Sequence, residues 1–204
     1  MSNLLKRSLS SILLGPLVIF LIYKGGIYFD VLLMICFLSG LFEIFKLKKN
    51  KSKIIIFLIL LIFIFSSYKL RNLSNGIEYF FLIIGITWLS DIGGFTFGKY
   101  IGGKKINIIS PNKTYIGFFG SILFSQLSFV ILNFLNIKIS NNLIITSLVF
   151  IFSSFLVITG DLIFSYFKRL ENIKDYSNLI PGHGGLFDRI DGLIFLIIFY
   201  SIFL

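Results

Sequence analysis

At 204 residues, with 56% hydrophobic and 14% charged side chains and a mean hydropathy of +0.96, the chain falls outside the ordinary soluble domains. Nineteen Lys and Arg against nine Asp and Glu give a formal charge of +10, but the cations are divided among short segments between apolar runs. That distribution argues against nucleic acid and for anionic lipid headgroups or a polyphosphate, and the single cysteine, Cys36, permits no intrachain disulfide.

The first apolar run, residues 8–23, follows Lys6 and Arg7 as a signal peptide would. It contains Pro16, lacks a small-residue cleavage site and leads through Gly25 and Gly26 into a second run, 27–45, so it is read as a retained helix. Glu43, near the end of that second span beside Lys46, is expected to snorkel to the interface or pair with a neighbouring cation. Five lysines (46, 48, 49, 51 and 53) precede a third span, 54–68, which is lean for a hydrocarbon core of about 30 Å. The fourth run starts near Ile77, passes Trp88 as an interfacial anchor and ends in LSDIGGFTFGKYIGGKK. There the glycines at 93, 94, 98, 102 and 103 suit close helix packing, which does not account for Asp91.

SPNKT follows at 110–114, then Gly117 and Gly120, and spans at 115–137, 143–167 and 190–204 bring the tally to seven. Continuous rather than alternating apolar runs predict helices and not a barrel. The expected fold is therefore all-α, a polytopic integral membrane protein with about seven transmembrane helices and residues 1–204 as a single membrane-embedded domain. With the N-terminus cytoplasmic, 15 of the 19 Lys and Arg fall on inner segments, as the positive-inside rule requires. The expectation is a multi-pass protein of the cell membrane whose two loops at 99–114 and 165–191 face the cytoplasm.

Residues 165–191, SYFKRLENIKDYSNLIPGHGGLFDRID, form a polar island between the last two spans. They hold the only histidine, His183, with four cations and four acids. Asp188 and Asp191 are three residues apart at the start of the last helix, on one face of its first turn. Asp161 lies deep in the preceding apolar run, where an ionised carboxylate costs roughly 2.5 to 3.5 kcal/mol on insertion scales and calls for a partner or a task. Two readings stay open on charge pattern: the acids pair with the nearby cations, or they hold a divalent cation while Lys and Arg hold phosphates. The Pro-Gly-His-Gly-Gly run lets backbone N–H groups approach an anion before a helix start.

The pattern S-x-x-K-R-x4-K-D-x-S-x2-I-P-G-H-G-G-x2-D-R-x-D, ungapped over 165–191, resembles the signature of the phosphatidate cytidylyltransferases, also called CDP-diacylglycerol synthases. A second segment, with Asp91, Gly94, Gly98, Gly102, Ser110, Pro111, Lys113, Thr114 and Gly117, resembles that family's other recurring motif. Ile116 and Phe164 stand where many members carry Glu. The resemblance implies an integral membrane enzyme that joins CTP to phosphatidic acid with Mg2+, a second cation remaining open, to give CDP-diacylglycerol and pyrophosphate. It implies that Asp161, Asp188 and Asp191 hold the metal and that Lys113, Lys168, Arg169, Lys174 and Arg189 meet phosphates. His183 is expected to shape the glycine-rich turn rather than abstract a proton, and Asp175 to orient Lys174 as an ion pair. Asp91, Thr114, Ser165, Gly184 and Gly185 complete the expected substrate contacts.

The implied partners are CTP, phosphatidic acid and membrane lipids, with no nucleic acid and a homodimer left open. Two rivals stand beside this reading. Another Mg-dependent membrane lipid-phosphate transferase or a CTP-dependent lipid kinase would also use acids, and a transporter would explain intramembrane carboxylates. A transporter has no use for a glycine-rich turn among basic residues.

Overall fold

A computed structural model describes residues 3–106 and 113–204, and the side chains of all of these except 3–9 and 11. Ser110 and Pro111, and the side chains of Lys6 and Arg7, lie outside the described residues. Eight helices are described: α1 (Asn3–Lys24), α2 (Ile27–Lys46), α3 (Asn50–Arg71), α4 (Gly76–Tyr100), α5 (Tyr115–Ser125), α6 (Ser128–Leu135), α7 (Leu143–Leu170) and α8 (Phe187–Phe203). Only isolated bridges, and no strands, occur among the described residues. Helix suits these runs because it satisfies every backbone N–H and C=O within the segment, which lipid cannot do. Among the described residues, five spans are long and apolar enough to cross a membrane: α2, α3, α4, α5 with α6 (Tyr115–Leu135), and α7.

Two spans differ from the sequence reading. The third span is not short: α3 runs from Asn50 to Arg71, because a helix continues into the lysine cluster while the long side chains reach outward. The fourth starts where expected, next to Ile77, and Asp91 is helical within α4. The fifth breaks into α5 and α6 at Gln126 and Leu127, and Asn136 ends α6 in the left-handed conformation, φ 53°.

Helix ends gather at two poles. At one, the Ser10 hydroxyl of α1 donates to the Pro181 carbonyl (3.1 Å), and Glu171 just after α7 accepts from the Lys48 N–H (2.6 Å) in the α2–α3 turn. At the other, Arg71 at the end of α3 donates to the Ile22 carbonyl (3.0 Å) near the end of α1, and Lys69 donates to Ser201 (2.6 Å) near the end of α8. These two cations satisfy carbonyls that helix C-termini leave without intrahelical partners. Gly25 (φ 65°) turns α1 into α2, and a Cβ there would run into the Arg71 guanidinium.

α8 is the central post, packed against α3, α4 and α7, with Ile194, Leu196 and Tyr200 fully buried. Two glycine seams set the close approaches. A Cβ on Gly160 would lie 2.6 Å from the Asp191 carbonyl, and one on Gly192 would lie 2.8 Å from Val157, so α7 and α8 touch at the level of Asp161 and Asp191. Gly93, Gly94 and Gly98 meet Gly117, Gly120 and Ser121 in the same way, joining α4 to α5.

Candidate active site

The loop between α7 and α8 is held by its own backbone before any side chain acts. Asn172 (φ 55°) ends α7, with the Ile173 N–H returning to Lys168 and the Asn172 N–H to Arg169, a Schellman arrangement. Pro181 and Gly182 (φ 77°) then make a tight turn closed by the His183 N–H on the Ile180 carbonyl (2.9 Å), as in a type II turn. His183 points its Nδ1 at the Ser10 hydroxyl (2.7 Å), and its carbonyl accepts from Arg189 Nε (2.9 Å). Its contacts shape the turn and bind it to α1.

Asp188 is the internal tie of this loop. One oxygen pairs with Lys168 (2.8 Å), and the other accepts from the N–H groups of Tyr176 and Gly185 (2.9 Å each). Burial pushes the Tyr176 phenol up, the Asp188 charge adds to it, and the protonated hydroxyl donates to the Phe164 carbonyl (3.1 Å). Phe164 is fully buried and stacks on Phe187 (5.4 Å), so the apolar residue at this position fills an aromatic core.

The segment before α5 folds back on the end of α4: Ile106 N–H donates to the Lys113 carbonyl (2.9 Å) and Tyr115 N–H to Lys104 (3.1 Å). Thr114 caps α5, its hydroxyl accepting from the Gly117 N–H (3.0 Å). Lys113 is thereby carried to α7, where its ammonium pairs with Asp161 and donates to the Ile158 carbonyl (3.4 Å). The Ser165 hydroxyl donates to the other Asp161 oxygen (3.2 Å).

Two adjoining cavities share Asp91 and Asp161. One, of about 270 Å³, is walled by those two with Lys168, Asp175, Asp188, Arg189 and Asp191. The other, of about 210 Å³, is walled by Lys113, Thr114, Gly94, Gly117 and apolar side chains of α4, α5 and α7. The first is walled mainly by charged side chains, and the second by charged, polar and apolar ones together.

Arg169, Lys174, Ser165, His183, Gly184 and Gly185 line neither cavity. Gly184 (φ 86°) and Gly185 act through the backbone beside Asp188. The expected Asp175–Lys174 pair is not formed: the two ion pairs among the described residues are Lys113–Asp161 and Lys168–Asp188, and Lys174 and Asp175 are both exposed. Nor are Asp161, Asp188 and Asp191 a ready cage, since no three His, Cys, Asp or Glu among the described residues are gathered closely enough to hold a metal ion. Asp188 is spent on the loop. Among the described residues, Asp191 accepts from the N–H of Gly192 (2.8 Å), and neither Asp191 nor Asp91 forms an ion pair.

Sequence reasoning missed the two glutamates that hold the loop from outside. Glu43 does not snorkel: it is fully buried and accepts from Ser177, Leu186 and Phe187. Glu171 receives the Lys48 and Lys49 N–H groups. Burial raises the Glu171 pKa, but hydrogen bonds from Lys48, Ser52 and Lys49 outweigh it and hold the carboxyl below the ordinary 4.5. An acid inside an apolar run was the available signal for Glu43.

Comparison with known proteins gives a consistent relationship. The model of the Cytidylyltransferase family matches residues 51–204. The chain is 38% identical over 138 residues to a phosphatidate cytidylyltransferase of Staphylococcus epidermidis, covering 67% of this chain and 53% of that protein. It is 36% identical over 141 residues to one of Staphylococcus haemolyticus (67% and 53%) and 38% identical over 133 residues to one of Staphylococcus aureus (64% and 50%). The chain thus spans about half the length of these curated relatives.

Proposed function

This chain belongs to the cytidylyltransferase family, and we propose that it transfers a cytidylyl group from CTP to phosphatidic acid, giving CDP-diacylglycerol and pyrophosphate. The activity named for its relatives supports this. The observation that carries it is the Lys113–Asp161 ion pair, which joins two sequence-distant segments at one pair of cavities.

In this reading the phosphate of phosphatidic acid attacks the α-phosphorus of CTP in line. A new P–O bond forms as the bond to pyrophosphate breaks, and the protein supplies position and charge rather than a covalent intermediate. A phosphate monoester is already anionic at neutral pH, so no strong base is required. Lys168 and Arg189 on the polar cavity and Lys113 on its neighbour meet the phosphates, Arg189 by bidentate contact and the lysines as point charges. Arg169 and Lys174, exposed at the end of α7 and on the segment that joins it to α8, add positive charge that attracts the anionic substrates.

The donor set fits Mg2+, which takes one or two carboxylates together with substrate phosphate oxygens rather than a full protein cage. Asp91, Asp161 and Asp191 present hard oxygen ligands to one cavity, with Asp91 and Asp191 outside any ion pair among the described residues. A bound Mg2+ would neutralise charge developing on the transferring phosphate.

The same reading has seven crossings, α5 and α6 sharing one and α8 contributing about 25 Å of helix, with the N-terminus and the site on the cytoplasmic face of the cell membrane. The alternation of helix ends between two poles and the weight of cations at the site pole support it.

The test is turnover by purified protein in detergent with labelled CTP, phosphatidic acid and Mg2+. Labelled CDP-diacylglycerol that requires both substrates is the expected product. Pyrophosphate release without a lipid product, or no turnover, overturns the reading.

A further inference from the structure

We propose that Glu43, which lies outside the segment matched by the family, is the positioning residue that holds the start of α8 against the polar cavity. Its carboxylate is fully buried, and three donors converge on it: the Ser177 hydroxyl (2.7 Å), the Leu186 N–H (2.6 Å) and the Phe187 N–H (3.1 Å). The last two are first-turn amides of α8, which a helix leaves without intrahelical acceptors. α8 has no side-chain cap of its own at Leu186, so α2 supplies one, with the carboxylate at the positive end of the helix dipole. Neither ion pair among the described residues includes Glu43.

Two neighbouring features depend on this cap. A Cβ on Gly185 would run into the Glu43 carboxylate, so the glycine leaves the space that the carboxylate fills. Asp188, Arg189 and Asp191 follow directly on the capped turn and wall the polar cavity. Loosening the turn therefore moves three cavity side chains at once, and misplacement by about 1 Å is enough to cost on the order of a hundredfold in rate. Glu43 touches neither cavity, so its effect passes through α8.

The inference deepens the activity proposed above and rests on it for one arm of its test. Full-length Glu43→Gln in detergent keeps the side-chain length and loses the charge. We expect hydrogen exchange at the Leu186 and Phe187 amides to quicken about tenfold or more while α4 is unchanged, and kcat with CTP and phosphatidic acid to fall roughly ten- to a hundredfold with KM for CTP within about threefold. Unchanged exchange at those amides overturns the clamp whether or not the protein turns over. Faster exchange with an unaltered kcat overturns the positioning role. If the parent protein makes no lipid product, the activity reading has failed, and exchange alone decides the clamp. Should Glu43→Gln not fold, Gly185→Ala carries the test. Its methyl displaces the Glu43 carboxylate and should quicken exchange at the same two amides, and unchanged exchange there overturns the proposal.

Discussion

Lys113 and Asp161 form an ion pair that ties the turn before α5 to the middle of α7, and both side chains remain partly open to the cavities they border. Replacing Lys113 with Met keeps most of the apolar stem and deletes the charge. A charge-assisted contact is worth about 1.5 to 3 kcal/mol, so kcat/KM is expected to fall roughly ten- to a hundredfold. Lys104→Met and Lys105→Met, at exposed cations bordering neither cavity, are the controls and should stay near the parent rate. A Lys113→Met variant that behaves like them would break the link between the two motifs.

The acids divide into two classes that substitution will separate. Asp91→Asn and Asp191→Asn should lower turnover about a hundredfold or more across a Mg2+ titration while the melting temperature in detergent holds. Asp188→Asn should lower both, because it breaks a mostly buried pair with Lys168, a loss of about 3 to 5 kcal/mol. Melting curves for the three variants check the division.

Orientation is read by labelling. In a Cys36→Ser background, a cysteine at Asn172, exposed after α7, should react with an impermeant reagent only once the cytoplasmic face is opened. Reaction from outside intact cells would invert the topology.

Glu171 carries a pH signature. Its folded-state pKa lies below 4.5, so its contribution to stability is complete above about pH 4.5 and is lost as pH falls through the folded value. Glu171→Gln should therefore melt lower than the parent at neutral pH, and the gap should close on acidification below pH 4.5. A gap that is independent of pH would remove the charge from the explanation.

The α4–α5 seam is tight enough to test with one methyl group. A Cβ at Gly120 would lie 2.5 Å from that of Phe97 and 2.6 Å from the Gly93 carbonyl, so Gly120→Ala should cost about 1 to 3 kcal/mol. Gly15→Ala, where a Cβ would meet no neighbouring helix within 4 Å, should cost less than Gly120→Ala in the same melting experiment.

Much of this architecture was legible in order, because apolar runs must become helices where no water can satisfy the backbone. The boundaries were less so. Hydropathy stops at the lysines that flank 54–68, but hydrogen bonding carries α3 out to Asn50 and Arg71. The run at 115–137 reads as one span, yet the chain turns at Gln126 and Leu127, where no Pro or Gly marks the break. Glu43 was assigned to the interface because its nearest cation in sequence is Lys46, whereas its partners come from residues 177–187.

Residue order alone determined the all-helical membrane class, the two motifs and the family they resemble, because these rest on composition and spacing along the chain. Folding chose the roles of the acids. Asp161 and Asp188 took up lysines, Glu43 and Glu171 took up backbone amides, and Asp91 and Asp191 were left facing the cavity without an ion pair among the described residues. The reason is that a carboxylate's partner is whatever donor the packing brings within about 3 Å. The glycine seams that set those approaches join residues far apart in sequence.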